Sequence, residues 1–455
     1  MSDFSHLRDI VGQLPFLKTY SHLLLAFPLR DESRDQVINR LQLSAYKLTE
    51  AFPWLAAKVV NRGSGPGDSG VFELEPCSLW SAPNSILRIK DCSELCPPFE
   101  KLVQARGPAT MLNGDILGPR AAFPDSYQET EEDPAPVIAF QANLIKGGLL
   151  LDCAAQHNFI DMSGIEQCYN LLATGMGDVP FSYEAVKQGN IDRRNLLPLL
   201  RPGELMNDHS HFNKPPPSDP SPSLAEPDSP FSWRYFRFSA AKLAELKLLA
   251  TSSEESNRSI PYISTNDALT AFCWQRVISI RLRRRQTPHA NAKILRAVDT
   301  RKIMGVPQGY MGDLITISTS VSTFQELANA SLPEVASILR NDLNYVNTQD
   351  YVRSYATFVA RTLDKSNIVY GGRWNPDTDI GSSSWAQVQL SRVNFGSLGK
   401  PALVRRPTFK PLRSNIYFMP RTISGDIDAL LCFNEEDMNG LMADPEWNSF
   451  TDYIG

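Results

Sequence analysis

The sequence predicts a mixed α/β protein (α/β or α+β) built from two halves of comparable size. Its 455 residues exceed the usual size of one domain and supply ample material for buried cores. In both halves a strand-like run is followed by a helix-like segment: the apolar Tyr20 to Leu29 and then Asp35 onward, and later Trp233 to Phe238 and then Ala240 to Thr251. Between them, residues 202–230 mix Pro202, Pro215, Pro216, Pro217, Pro220, Pro222, Pro227 and Pro230 with Ser, Asp and Asn, the composition of a connector. The expected organisation is residues 1–205, a crossover at 206–230, and residues 231–455, with the two halves facing one another across a cleft.

The helix opening at Asp35 carries Val37, Ile38, Leu41, Leu43, Ala45 and Leu48 and should stop by Phe52-Pro53, because proline removes a donor and biases its predecessor to extended geometry. Gly and Ser make residues 62–72 a loop. Asp125 to Asp133 is an acidic solvated connection ending in Pro134-Ala135-Pro136. Val137 to Ile145 and Leu149 to Ala155 flank Lys146-Gly147-Gly148, a hairpin pattern. A helix is expected to start at Ser163, since Ser163 and Glu166 have capping-box spacing. Another is signalled by Ser264 to Asp267 and ends in Arg281, Arg283, Arg284 and Arg285, cations suited to a helix C-terminus; the competing reading of that run is a phosphate site. Residues from Asp379 to Pro401, with alternation from Trp385 to Val393, read as strand.

Hydrophobic residues make up 42% and charged residues 21% of the chain, values of an ordinary globular protein. A net charge of −5 provides no basic field, which argues against a nucleic-acid backbone or an anionic membrane as main partner. No run approaches the roughly 18 apolar residues of a spanning helix. The first residues lack a basic and an apolar signal region, so a cytoplasmic location is expected. Seven cysteines are scattered without scaffold or zinc spacing, and buried reduced thiols are expected.

Familiar catalytic texts are absent: no P-loop, dinucleotide-binding glycine fingerprint, His-Glu-x-x-His or Gly-x-Ser-x-Gly. His209-Ser210-His211 lies in the connector without an obvious third ligand, so no metal is assigned. His157 is the candidate general base, because it sits at a strand end with a helix start close by and Asp161 four positions on. Spacing alone leaves open a structural histidine.

The wider text narrows the choice. His157-Asn158-Phe159-Ile160-Asp161-Met162-Ser163-Gly164 resembles the HxxxD motif of the BAHD superfamily of acyl-CoA-dependent acyltransferases, and Asn394-Phe395-Gly396-Ser397-Leu398-Gly399-Lys400-Pro401 resembles its DFGWG motif. Supporting similarities run through Tyr20 to Trp54, Thr265 to Leu269, Val298-Asp299-Thr300-Arg301 with Gly309 to Asp313, and Ser383-Ser384-Trp385, so nearly the whole chain is covered. Its flavour is similar to fungal members of the trichothecene 3-O-acetyltransferase-like group.

That resemblance implies two chloramphenicol-acetyltransferase-like domains with a central tunnel, acyl-CoA (acetyl-CoA first) as co-substrate, no permanently bound cofactor, and a small-molecule alcohol as acceptor. A monomer is expected. His157 would be the base in a ternary complex without an acyl-enzyme. Asp161 would turn away and pair with Arg301, holding the loop. Gly164 would leave room near the substrate, or simply ease the start of the helix. Ser383 and Trp385 are the oxyanion donors by motif position, and Lys400, Arg405 and Arg406 the candidates for the CoA phosphates. Asn394, Phe395, Gly396 and Gly399 belong to the structural motif.

The chain departs from the family at Asn394, where aspartate is usual, at Ser397-Leu398 in place of one tryptophan, and at Gln156, where related condensation enzymes carry a second histidine. Asn keeps the shape and hydrogen bonding of Asp but loses its charge, and since the family's aspartate there is regarded as structural, a modest stability effect and retained activity are expected. Two further readings stand beside acetyl transfer to a fungal secondary metabolite: a longer or carrier-bound acyl donor delivered to an alcohol or amine, and an inactive homologue serving as a binding or scaffold protein.

Overall fold

The computed structural model describes residues 3–123, 129–214, 229–252 and 262–455. Residues 125–128 of the acidic stretch and 215–228 of the proline-rich connector therefore lie outside the described residues. Strands of the first half are β1 (Tyr20–Pro28), β2 (Ala57–Arg62), β3 (Val71–Pro76), β4 (Leu87–Asp91), β5 (Ile138–Ile145) and β6 (Gly148–Gln156). The second half contributes β7 (Phe231–Phe238), β8 (Asn291–Asp299), β9 (Ile315–Thr323), β10 (Asp379–Ser384), β11 (Leu403–Arg405), β12 (Asn415–Phe418), β13 (Ile427–Asn434) and β14 (Asp452–Tyr453).

One sheet runs β11-β1-β6-β5-β4, the other β14-β7-β13-β12-β10-β8-β9, and β2 pairs with β3 on either side of the expected loop. β5 and β6 form the predicted hairpin; every residue of both strands is buried, because the sheet is covered on both faces. Gly147 turns it at φ +74°, a conformation that glycine adopts without a Cβ clash. The helix Arg34–Ala51 presents Val37, Leu41, Ala45 and Leu48 to the core and ends at Phe52, before Pro53, as expected. In the second half the helix Thr265–Arg285 opens with a capping box between Ser264 and Asp267.

The halves are interlocked. β11, far along the chain, pairs antiparallel with β1, Leu24 opposite Arg405. In the other direction, residues at the start of the proline-rich stretch and just before it lie on the helix Gln349–Arg361: Leu200 N–H donates to Thr357 Oγ1 (2.8 Å) and Asn207 N–H to Ser354 Oγ (2.8 Å). A third apolar cluster, with Val11, Leu14, Leu17, Tyr310, Leu314, Tyr355 and Ile368, joins the N-terminal turns to the second half. No described helix is long and apolar enough to cross a membrane.

Two expectations are corrected. The helix after the His157 loop is Met162–Met176 and its cap is Asp161, not Ser163, whose hydroxyl reaches Asp299 instead (2.8 Å). Extended structure at Asp379 ends with Ser384; from Trp385 to Lys400 the chain makes turns and two 3₁₀ segments. The arginine run stands at the end of the helix Thr265–Arg285, as its favoured reading had it, and forms ion pairs there: Arg281 and Arg284 meet Asp437, Arg283 meets Asp444 and Arg285 meets Asp377. The six most buried thiols are those of Cys77, Cys92, Cys153, Cys168, Cys273 and Cys432, with Cys96 half-buried.

Candidate active site

β6 pairs with β1 as far as Gln156 opposite Tyr20, and one residue later the His157 N–H donates to Thr19 O (2.9 Å). The loop then tightens, with Phe159 and Ile160 N–H both donating to Gln156 O (3.0 Å each). Asn158 is buried beneath it and donates to Gly12 O (2.5 Å) and Leu14 O (3.1 Å), while Arg193 donates to Phe159 O (2.9 Å). The imidazole thus stands on a floor fixed at several points, and its side chain is 24% exposed.

Asp161 turns away from the imidazole. Its Oδ1 accepts Gly164 N–H (3.0 Å) and Arg301 Nη2 (2.8 Å), and its Oδ2 accepts Arg301 Nη1 (2.7 Å) and Leu314 N–H (3.1 Å). Four donors on a buried carboxylate offset its desolvation, as burial of a charge requires. Arg301 also donates to Gly312 O (2.7 Å). The β8–β9 connection of the second half is thereby fastened to the histidine loop of the first.

The same connection delivers a carboxylate that the sequence did not single out: Asp313 Oδ2 lies 3.2 Å from His157 Nδ1, and Asp313 is fully buried. Its other oxygen accepts Ile315 N–H (3.2 Å). Burial alone would lower the imidazole pKa, but the Asp313 carboxylate, by charge and hydrogen bond and with help from Asp161, lifts it to about 9. Burial in turn pushes Asp313 up, opposed by His157. In the text Asp313 stood only as the last residue of the family-like segment Gly309 to Asp313, a carboxylate among apolar neighbours with no role assigned to it.

Gly164 has a different reason from either expected one. A Cβ there would stand 2.3 Å from Met311 O, so the missing side chain lets the helix Met162–Met176 approach the backbone two residues from Asp313. Trp385 also differs: its indole N–H donates to Ser383 Oγ (3.0 Å), so it supports Ser383 rather than presenting a free donor. Ser383 keeps its own O–H for donation.

Phe395 is buried against Phe27 (ring centroids 5.0 Å) and its N–H donates to Gly399 O (2.8 Å). Gly396 (φ +60°) abuts Met176 O, so this motif packs on the end of the helix Met162–Met176. Asn394 and Lys400 are exposed beside it. Arg405 and Arg406, expected at phosphates, point inward: both are buried. Arg405 bonds Gly107 O (3.1 Å), Arg106 O (2.6 Å) and Asp428 (2.8 Å), because β11 is threaded between the two halves. Arg406 lies over the rings of Trp233 and Tyr417 (5.0 Å each). His209 is likewise enclosed, 2.9 Å from Ser354 Oγ, and no metal-binding group of three or more His, Cys, Asp or Glu occurs among the described residues.

Comparison with known proteins agrees with this architecture. Residues 19–175 match the trichothecene 3-O-acetyltransferase-like N-terminal domain, and residues 121–448 match the Transferase family. The chain is 49% identical to the O-acyltransferase pigD of Monascus ruber over the full length of both. It is 44% identical to the O-acetyltransferase epaC of Aspergillus niger, over 100% of this chain and 98% of that one. The crystal structure of Fusarium sporotrichioides TRI101 complexed with coenzyme A and T-2 superposes with a TM-score of 0.90 at 33% identity, covering 98% of this chain and 99% of that one. The two-sheet fold, the matched families and the full-length relatives together establish that the chain belongs to the Transferase family of BAHD acyl-CoA-dependent O-acyltransferases, on its trichothecene 3-O-acetyltransferase-like branch.

Proposed function

We propose that this enzyme moves an acetyl group from acetyl-CoA to a hydroxyl of a fungal secondary metabolite, with His157 as general base. The observation that carries the proposal is a partly exposed imidazole on a fixed loop whose Nδ1 already has a partner, so that Nε2 is left for the acceptor. Nε2 takes the acceptor proton as the hydroxyl oxygen attacks the thioester carbonyl, a step worth on the order of 10²–10⁴ in rate. The oxyanion of the tetrahedral intermediate accepts the Ser383 hydroxyl, ordered by Trp385. Collapse breaks the carbon–sulfur bond, and the thiolate leaves with the proton returned from Nε2. No acyl-enzyme forms. Lys400, exposed at the end of the second motif, serves the CoA phosphates as a local cation on an acidic protein. The proposal includes a cytoplasmic monomer organised as residues 1–205, 206–230 and 231–455.

The test is thiol release from acetyl-CoA with a panel of terpenoid, alkaloid and polyketide alcohols, for wild type and His157→Ala, with melting as the folding control. Acceptor-dependent release that falls by about 10² or more in the variant supports the proposal. Release only from longer or carrier-bound donors replaces acetyl by that donor, and silence with every donor returns the chain to a scaffold role.

A further inference from the structure

We propose that Asp313, which lies outside the HxxxD motif, is the positioning residue for His157: it holds the Nδ1 proton, fixes the tautomer that offers the Nε2 lone pair, and stabilises the imidazolium formed during transfer. This role rests on the acyl-transfer reading above. The motif aspartate is not placed to do it, because both oxygens of Asp161 are occupied by Arg301, Gly164 N–H and Leu314 N–H. Asp313 instead directs Oδ2 at Nδ1 from 3.2 Å and is itself anchored through Oδ1 to Ile315 N–H. A buried carboxylate is expensive unless something offsets it. Here the facing group is the imidazole itself, which makes the position intelligible as part of the catalytic apparatus.

Several other charged or titratable groups surround the pair. From the β8–β9 connection come Arg301, Asp299 and Tyr310, and Arg301 is committed to Asp161, Asp299 and Gly312 O. The N-terminal turns supply Asp9, paired with Arg193 at 3.7 Å. Tyr355 and Tyr370 lie within electrostatic reach of Asp313, and their hydroxyl oxygens are buried without a protein hydrogen-bond partner. None of these cations reaches Asp313 in an ion pair among the described residues, so its attraction is spent on His157.

The electrostatic consequence has a definite sign. A base must be unprotonated to act, and the Asp313 carboxylate overcomes burial to hold the imidazole protonated up to about pH 9. The pair titrates as a unit, and below that pH the reactive form gains about tenfold per pH unit. Without the carboxylate, burial is opposed only by the Asp161 charge and the imidazole's own backbone hydrogen bond, and the imidazole moves down toward acid pH.

The experiment pairs a pH profile of thiol release with an NMR titration of ring-labelled histidine in the full chain, which has only six histidines, for wild type, Asp313→Asn and Asp313→Glu. His157→Ala assigns the resonance. Wild type is expected to show the His157 titration and the rate inflection together near pH 9. Asp313→Asn should move both to acid pH and lower kcat by about 10²–10⁴ with KM within a few-fold, and Asp313→Glu should restore part of each. Should Asp313→Asn fail to fold, the wild-type titration decides alone, and an inflection below pH 7 overturns the proposal. Transfer by an enzyme whose His157 titrates normally overturns the role of Asp313 and leaves acyl transfer standing. Absence of transfer from every donor overturns the acyl-transfer reading, and this role with it.

Discussion

Asp161 and Arg301 are 140 positions apart and meet in a two-pronged ion pair, Nη1 to Oδ2 at 2.7 Å and Nη2 to Oδ1 at 2.8 Å. The pair is buried and joins the histidine loop to the β8–β9 connection, so the motif aspartate acts on the joint between the halves. Removing one partner of such a pair leaves an uncompensated buried charge. Arg301→Ala is therefore expected to destabilise the fold by about 3–5 kcal/mol, read as the midpoint of urea unfolding. Arg301→Lys should recover only part, since an ammonium cannot reproduce the two parallel bonds.

Gly164 makes a sharper steric prediction. The alanine Cβ would meet a backbone oxygen, Met311 O, at 2.3 Å, and a backbone group cannot swing aside as a flexible side chain can. Gly164→Ala should cost about 1–3 kcal/mol in stability. The same displacement shifts Asp313, two residues beyond Met311, relative to His157. A fall in kcat at temperatures where the variant remains folded, with KM for acetyl-CoA unchanged, is the expected kinetic signature; unchanged kcat in a folded variant would show that the connection absorbs the strain elsewhere.

Which parts of this arrangement were legible in the text follows from how local each signal is. The β5–β6 hairpin, the helix Arg34–Ala51 and the Ser264–Asp267 capping box are specified by residues within a few positions of one another, and they stand where periodicity placed them. Ser163 and Glu166 imitated a cap that Asp161 in fact supplies, because Ser163 finds a better partner in Asp299 across the joint. Arg405 and Arg406 looked like a surface cluster, yet β11 carries them between the halves, and only the strand order reveals that. Asp313 was invisible for the same reason: it meets His157 over 156 positions. Asn394 was flagged as a lost charge, and its exposed side chain beside the buried Phe395 marks the motif as a packing element.

Ser383 and Trp385 are separable by mutation. In the proposed mechanism Ser383 supplies the oxyanion hydroxyl, and Trp385 holds it through the indole N–H at 3.0 Å. Loss of one oxyanion donor costs on the order of 10²–10³ in kcat, so Ser383→Ala should fall in that range with little change in KM. Trp385→Phe keeps the packed ring and removes only the orienting bond, and about tenfold is expected, near the net value of a single hydrogen bond. Equal losses in the two variants would mean that the indole itself touches the oxyanion.

Lys400 and Arg405 were grouped by sequence and divide by environment. Lys400 is exposed, and a cation that meets a phosphate in water contributes modestly and in a salt-dependent way. Lys400→Ala should raise KM for acetyl-CoA several-fold, with the difference shrinking at high salt and with unchanged melting. Arg405 is buried, carries β11 against β1 and meets Asp428 at 2.8 Å, and Asp428 lies below the usual carboxylate range because, against the cost of burial, Arg405 and Arg237 hold it ionised. Arg405→Ala should therefore appear as lost stability, about 3–5 kcal/mol, with KM for acetyl-CoA in the surviving folded enzyme near the wild-type value. For Asp428 the sign follows from the same lowering: its contribution is present above the unfolded carboxylate pKa and fades as the pH falls through its folded value, so the gap between wild type and Arg405→Ala should narrow in acid. A raised KM with unchanged melting for Arg405→Ala would instead return that guanidinium to the CoA phosphates.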